Sequence, residues 1–119
     1  MKAGILKNKS FKFAVRIVNL YRYLCEEKKE FVLSKQILRS GTSVGAMVSE
    51  SEYSESKADF IHKLAIAQKE CNETIYWLEL LKETEYISNK EFESIYTDAV
   101  EIIKMITSSI KTAKTTTNH

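Results

Sequence analysis

Residues 87–110 read ISNKEFESIYTDAVEIIKMITSSI and contain the clearest helix start in the chain. Ser88 and Glu91 have the spacing of a capping box, and Ile87 and Phe92 occupy the two positions of a hydrophobic staple. The apolar residues that follow recur at helical spacing and form one stripe, made of Phe92, Ile95, Tyr96, Ala99, Ile102, Ile103, Ile106 and Ile110. This stretch therefore predicts a long amphipathic helix with one buried face.

Three further helices are expected upstream of this stretch. Ser10 is a good N-cap for the first, and Ser56 with Asp59 has capping-box spacing for the third. Their expected ranges are about 11–28, 34–51 and 56–83. The chain has no proline and only three glycines, so nothing interrupts long helices. Four helices joined by short connections predict an all-α, up-down-up-down antiparallel four-helix bundle.

Helical spacing also assigns the buried face of each upstream helix. For the first, we expect Ala14, Ile17, Val18, Tyr21, Leu24 and Cys25 to point inward. The second should bury Ile37, Leu38, Gly41, Val44, Gly45 and Val48. The main face of the third should be Phe60, Leu64, Ala67, Cys71, Ile75, Leu78 and Leu81. Gly41 and Gly45 lie on one face, which indicates close approach of a neighbouring helix; contact of their backbone with a ligand is the alternative.

Bulk composition is typical of one folded domain spanning residues 1–119. The chain is 44% apolar and 29% charged, which is too apolar for a disordered protein. We expect disordered or frayed ends at about 1–9 and 112–119. There is no run of eighteen apolar residues and no visible signal peptide. A cytoplasmic location with reduced, buried Cys25 and Cys71 is the resulting expectation.

Charge is distributed unevenly along the chain. Residues 1–39 carry ten Lys or Arg against three acids, a net charge of +7, whereas residues 40–119 carry a net charge of −5. This asymmetry favours basic helices packed beside acidic ones, with an RNA or DNA partner as the alternative. Basic residues interleaved with an aromatic suit phosphates and a stacked base. The candidate nucleic-acid contacts are Lys9, Lys12, Arg16, Arg22, Tyr23, Lys35 and Arg39.

The third helix contains more apolar residues than one face can bury. A second set points away from its main face and is expected at a subunit interface, formed by Ile66, Tyr76, Trp77 and Leu80. We therefore expect self-association through helices three and one. The alternative is that the twist of the bundle covers these side chains.

The sequence gives little support for catalysis. His62 and His119 are the two histidines, and Asp59 with His62 makes one imperfect copy of the carboxylate–histidine element found in di-iron bundles. That chemistry needs two such elements and two further carboxylates. We expect no catalytic residue, no metal site, no cofactor and no small-molecule substrate, and hence no enzyme.

Three stretches resemble a known family. They are residues 36–46 with Glu50, reading QILRSGTSVGA before the acid, residues 56–67, reading SKADFIHKLAIA, and residues 69–81, reading KECNETIYWLELL. They are similar to the bacterial four-helix bundle proteins encoded within intervening sequences of 23S rRNA genes, which are often labelled ribosomal-protein-like. One departure is Met47, which stands where the family commonly has Asn.

The resemblance implies a homopentamer and offers no catalytic residues. Some of these relatives have an unclear biochemical role. Others are accessory proteins of diversity-generating retroelements, which associate with a reverse transcriptase and with nucleic acid. The resemblance and the residues above together predict a non-enzymatic oligomeric scaffold or adaptor that binds RNA or DNA through a basic face. The alternative is a purely protein-binding module that partners a nucleic-acid enzyme such as a reverse transcriptase.

Overall fold

The computed structural model describes residues 2–116 and contains four helices. They are α1 (Lys2–Glu26), α2 (Leu33–Ser51), α3 (Lys57–Glu83) and α4 (Asn89–Thr115). Short loops make successive helices antiparallel, and each of α1 and α3 packs against both α2 and α4. The result is an elongated bundle of 54 × 21 × 20 Å, and the expected all-α, up-down-up-down fold is confirmed.

Buried positions follow a seven-residue repeat in all four helices, with alternating steps of three and four. In α1 the repeat consists of Leu6, Ser10, Phe13, Ile17, Leu20 and Leu24. In α4 it consists of Phe92, Ile95, Ala99, Ile102 and Ile106. This repeat keeps one narrow stripe of each helix facing its neighbours along the whole bundle axis. The four stripes therefore meet in a single core.

The N-terminal part of α1 differs from the sequence-based expectation. The helix begins at Lys2, so residues 2–9, for which we expected a frayed end, are helical. Ser10 is fully buried within α1 and its hydroxyl donates to the carbonyl of Lys7 at 3.1 Å, so it is not an N-cap. Leu6 explains the difference, because it continues the buried repeat one turn further. At the other end α4 reaches Thr115, and residues 117–119 lie outside the described part.

The inward face of α1 was also placed wrongly in part. Ala14, Val18, Tyr21 and Cys25 are only partly buried. Phe13 and Leu20, which are not in the expected set, are buried in the core. The buried face is thus rotated by about one residue toward α4, because the seven-residue repeat selects a narrower stripe than the general helical pattern.

A buried carboxylate caps α2. Lys29 has a positive φ of 54°, which turns the chain at the end of α1. Glu30 then accepts hydrogen bonds from the backbone N–H groups of Val32 at 3.2 Å, Leu33 at 2.9 Å and Ser34 at 2.7 Å. These groups have no partners within the helix, so one side chain satisfies most of the first turn. Ser34 itself is buried inside α2 and does not cap it.

The starts of α3 and α4 are close to those expected. The hydroxyl of Ser88 accepts from the N–H of Glu91 at 3.1 Å, and the Glu91 carboxylate accepts from the N–H of Ser88 at 2.8 Å, which confirms the capping box of α4. Ser56 likewise accepts from the N–H of Asp59 at 3.0 Å. In a full capping box the Asp59 carboxylate would accept from the N–H of Ser56. Here it accepts instead from the N–H of Glu55 at 3.2 Å.

Two glycines and one polar pair fix how α2 packs. A Cβ atom at Gly41 would lie 2.7 Å from Cγ1 of Ile17, and one at Gly45 would lie 3.0 Å from the backbone oxygen of Ser10. The expected close packing of the two glycines is therefore confirmed, and the neighbour is α1. On the other side of α2, the buried hydroxyl oxygens of Ser40 and Thr74 lie 2.9 Å apart in a hydrogen bond to α3.

Replacing these glycines by alanine is expected to destabilise the bundle despite the higher helix propensity of alanine. Gly45→Ala should lower the free energy of unfolding by about 1–3 kcal/mol, because the backbone of α1 cannot move aside alone. Gly4→Ala is the matched control, since nothing lies within 4 Å of its added Cβ. It should be neutral or stabilising by up to about 1 kcal/mol. Urea unfolding measures both, and a Gly45→Ala variant more stable than the parent would contradict the close contact.

Loss of the Glu30 carboxylate should destabilise the start of α2. Glu30→Ala leaves three backbone N–H groups without their acceptor and is expected to lower the free energy of unfolding by about 1–3 kcal/mol. Glu27→Ala, at an exposed position in the same turn, should change it by less than about 0.5 kcal/mol. Equal effects of the two substitutions in thermal and urea unfolding would rule out the capping role.

Candidate interaction surfaces

Two of the basic candidates on α1 are engaged by acids on α4. The Arg16 guanidinium lies 2.7 Å from the Asp98 carboxylate and also donates to Ser94 Oγ at 2.8 Å. Lys9 lies 2.6 Å from Glu101, and this hydrogen bond raises the pKa of Lys9 above its usual value. These pairs support the reading in which a basic helix packs beside an acidic one.

A third basic candidate connects α2 to α3. Arg39 contacts Glu73 at 2.5 Å and Glu70 at 3.2 Å, and hydrogen bonds to Glu73 first and Glu70 second raise the pKa of Arg39. Trp77 Nε1 donates to Glu73 at 3.1 Å. This bond, followed by the one from Arg39, lowers the pKa of Glu73. Arg39 and Trp77 therefore share one carboxylate at the α2–α3 seam.

The remaining candidates for nucleic-acid contact do not form one patch. Lys12, Arg22 and Lys35 are exposed and have no carboxylate within ion-pair distance among residues 2–116. Tyr23 is partly buried against the core, and the ammonium group of Lys28 lies 5.9 Å from its ring centre. Lys9, Lys12, Arg16 and Tyr23 thus lie along the α1–α4 seam, Arg39 lies at the α2–α3 seam, and Arg22 and Lys35 are exposed elsewhere.

Of the expected interface residues on α3, Tyr76 is the most exposed at 56%. Trp77 is partly buried and packs against the core. Ile66 and Leu80 are also only partly buried. The four residues therefore do not make one fully open face, although Tyr76 remains available on the outer side of α3.

An exposed apolar pair on α1 was missed by the sequence analysis. Phe11 is 68% exposed and Val15, one turn later, is 46% exposed. The rotation of the buried face explains their position, since a core that contains Phe13 directs Phe11 and Val15 outward. A strict seven-residue pattern extended back to Leu6 would have revealed them.

The adjoining surface of α2 is uncharged from Ser40 to Ser49. The Thr42 hydroxyl donates to the Leu38 carbonyl at 2.7 Å, so it needs no external partner. Ala46 is exposed, and helical spacing puts it with Thr42 on the outer side of Gly45, where α2 touches α1. We call the surface formed by Phe11, Val15, Thr42 and Ala46 the α1–α2 patch.

Features of catalytic or metal sites are few in the described residues. Burial raises the pKa of the Cys71 thiol to about 12, which is unsuited to a nucleophile. Cys25 is partly buried, with its sulfur 3.7 Å from the Ser34 hydroxyl. Asp59 pairs with Lys63 at 2.9 Å, while His62 is exposed. Residues 2–116 contain no group of three His, Cys, Asp or Glu side chains placed to hold a metal ion.

Met47, which stands where the family commonly has Asn, is partly buried and packs against the core. His119 lies outside the described residues. Among residues 2–116, no helix combines the length and the apolar character of a membrane span.

Comparison with known proteins gives a consistent result. Residues 4–108 match the sequence profile of the family described as 23S rRNA-intervening sequence protein. A crystal structure of a protein of unknown function from the S23 ribosomal protein family of Bacteroides thetaiotaomicron VPI-5482 is 61% identical. It aligns with a TM-score of 0.92 over 93% of this chain and 99% of that one. None of the curated proteins matches significantly.

Neither description names an enzymatic activity. The bundle, its helix order and its length agree with the solved relative over nearly the whole chain. The protein belongs to the 23S rRNA-intervening sequence protein family.

Proposed function

We propose that the protein is a non-enzymatic oligomeric scaffold or adaptor whose copies assemble through the α1–α2 patch. The observation that carries this proposal is the exposure of Phe11 and Val15 beside a stretch of α2 that is uncharged from Ser40 to Ser49. Exposed apolar groups of this kind on a small domain commonly mark an interaction surface. An uncharged patch also lets identical copies approach without repulsion between like charges.

The arrangement of apolar surfaces favours a ring. Tyr76 lies on α3, which is diagonal to α1 because α1 packs against α2 and α4 only. Two different apolar surfaces on opposite sides of one subunit suit a head-to-tail contact, and such contacts close into a ring when the rotation allows. The homopentamer implied by the family resemblance is a ring of this kind.

A charge in the patch should dissociate the assembly. Phe11→Glu is expected to raise the protomer concentration needed for assembly by at least about 100-fold, because it buries a carboxylate among apolar groups. Size-exclusion chromatography with light scattering measures this directly. The parent should exceed 13.7 kDa severalfold and the variant should approach that mass.

Tyr53→Glu provides the matched control, since Tyr53 is a highly exposed aromatic residue on the α2–α3 loop, away from the patch. This variant should keep the parent's mass. A parent that is a clean monomer at micromolar concentration would overturn the scaffold proposal. Dissociation by both substitutions alike would reject the patch as the interface.

The charge distribution favours a protein partner over nucleic acid. Lys9, Arg16 and Arg39 already pair with carboxylates of the same chain, so a phosphate would have to compete for three of the seven candidates. We therefore favour the purely protein-binding form of the adaptor. A reverse transcriptase as the protein partner and a cytoplasmic location stay predictions.

Binding to structured RNA across a salt series separates the two forms. At most Lys12, Arg22 and Lys35 of each subunit would contact phosphates, and each contact contributes about 0.9 to the slope of log affinity against log salt. We expect weak binding, with a slope of magnitude below about 3 per subunit. Tight binding with a steeper slope, abolished by the triple Glu variant of these residues, would instead favour nucleic acid.

A further inference from the structure

The seam between α1 and α4 is more open than the other three seams of the bundle. These two helices approach each other less closely than any other adjacent pair. Their core side chains also keep residual exposure, with Leu20 at 8% and Ile95 at 6%. The buried apolar side chains of α2 and α3 are at most 2% exposed. The core is therefore covered less completely at Leu20 and Ile95, whereas Phe13 and Ile102 in the middle of the seam are 1% exposed.

Three cavities follow one another along the α1–α4 seam. Their volumes are about 330, 100 and 480 Å³, and each has an apolar floor with side chains from both helices. In order along the seam, the floors include Ile5 with Met105, Phe13 with Ile102, and Leu20 with Ile95. From residue 5 to residue 23 of α1 the groove extends about 27 Å at 1.5 Å per residue. This length corresponds to a helix of about five turns.

Polar side chains bridge the groove only at its surface. The pairs Lys9–Glu101 and Arg16–Asp98 have side chains that are 39–54% exposed. Exposed ion pairs of this type contribute little to stability. A ligand that enters the groove can therefore displace or reorient them at a small cost.

The rim of the groove has an excess of positive charge. Asp98 and Glu101 are neutralised by the two ion pairs, so Glu91, whose carboxylate accepts from the N–H of Ser88, is the unpaired acid that lines these cavities. The cations that remain each line one of the three cavities and have no carboxylate within ion-pair distance among residues 2–116. They are Lys12, Lys90 and Lys104.

We propose that the α1–α4 groove binds an acidic amphipathic helix of a partner protein. Its apolar face would cover the three cavities, and its carboxylates would contact the lysines of the rim. A second copy of this chain fits poorly, because its exposed apolar stripe lies on the basic helix α1. The inference names the partner class of the adaptor proposed above and rests on that function.

A designed peptide tests the chemistry of this groove without knowledge of the natural partner. The probe is a fluorescein-labelled helix of roughly 20 residues with leucines on one face and glutamates beside them, and its control has lysine at every glutamate. Fluorescence anisotropy with the full chain should show at least about ten-fold tighter binding of the acidic peptide. Equal binding of the two peptides would overturn the proposal.

Two tryptophan variants locate the binding. Ser94→Trp places a bulky side chain over the largest of the three seam cavities, whereas Thr97 is exposed on the same helix and lines none of them. Ser94→Trp should weaken binding of the acidic peptide by at least about ten-fold, and Thr97→Trp should leave it unchanged. Equal behaviour of the two variants would place the peptide elsewhere and overturn the assignment.

Charge reversal on the rim gives an independent readout. Changing Lys12, Lys90 and Lys104 to Glu should invert the preference toward the lysine peptide, whereas the same change at Lys29, Lys69 and Lys111, which line no seam cavity, should not.

Light scattering keeps the two proposals distinct. Loss of assembly in Ser94→Trp would mean that a second copy occupies the groove, which overturns the partner. Binding of the acidic peptide by a parent chain that is itself monomeric would reject the oligomeric scaffold alone.

Discussion

The close approach of α1 to α2 governs the shape of the bundle. At Gly45 the two backbones are near enough that a single added carbon would meet the carbonyl of Ser10, and at Gly41 it would meet Ile17. On its other side α1 packs less closely against α4. The α1–α2 patch thus lies beside the tight contact of α1, and the α1–α4 groove lies along its looser one.

Ion pairs join neighbouring helices at two seams of the bundle. Where apolar contact between α1 and α4 is thin, Lys9 and Arg16 reach across to acids. Where α2 meets α3, Arg39 joins two glutamates. Part of the uneven charge of the sequence is therefore used within the molecule. The unpaired lysines that remain beside the α1–α4 seam are the ones that face a partner.

Much of the fold could be predicted from the sequence, because helix starts and apolar spacing are local signals. The capping box at Ser88 and the stripe of α4 are examples. The role of Glu30 was not readable, since a carboxylate that caps a helix through a tight turn looks like any loop acid. The outward position of Phe11 was missed because Ser10 has the local pattern of an N-cap, while burial of Leu6 depends on tertiary contacts. Ion-pair partners on other helices, such as Asp98 for Arg16, likewise need the three-dimensional arrangement.

The hydrogen bond between the buried hydroxyls of Ser40 and Thr74 affects how α2 and α3 align along the bundle axis. Two helices with a seven-residue apolar repeat can shift along each other by a whole repeat and still bring apolar residues into contact. Such a slip of α3 along α2 would bring Leu33 or Met47 opposite Thr74, and Ala67 or Leu81 opposite Ser40. Each hydroxyl would then lose the other as a partner and keep only the carbonyl of its own helix. The pair thus favours one longitudinal setting of the two helices.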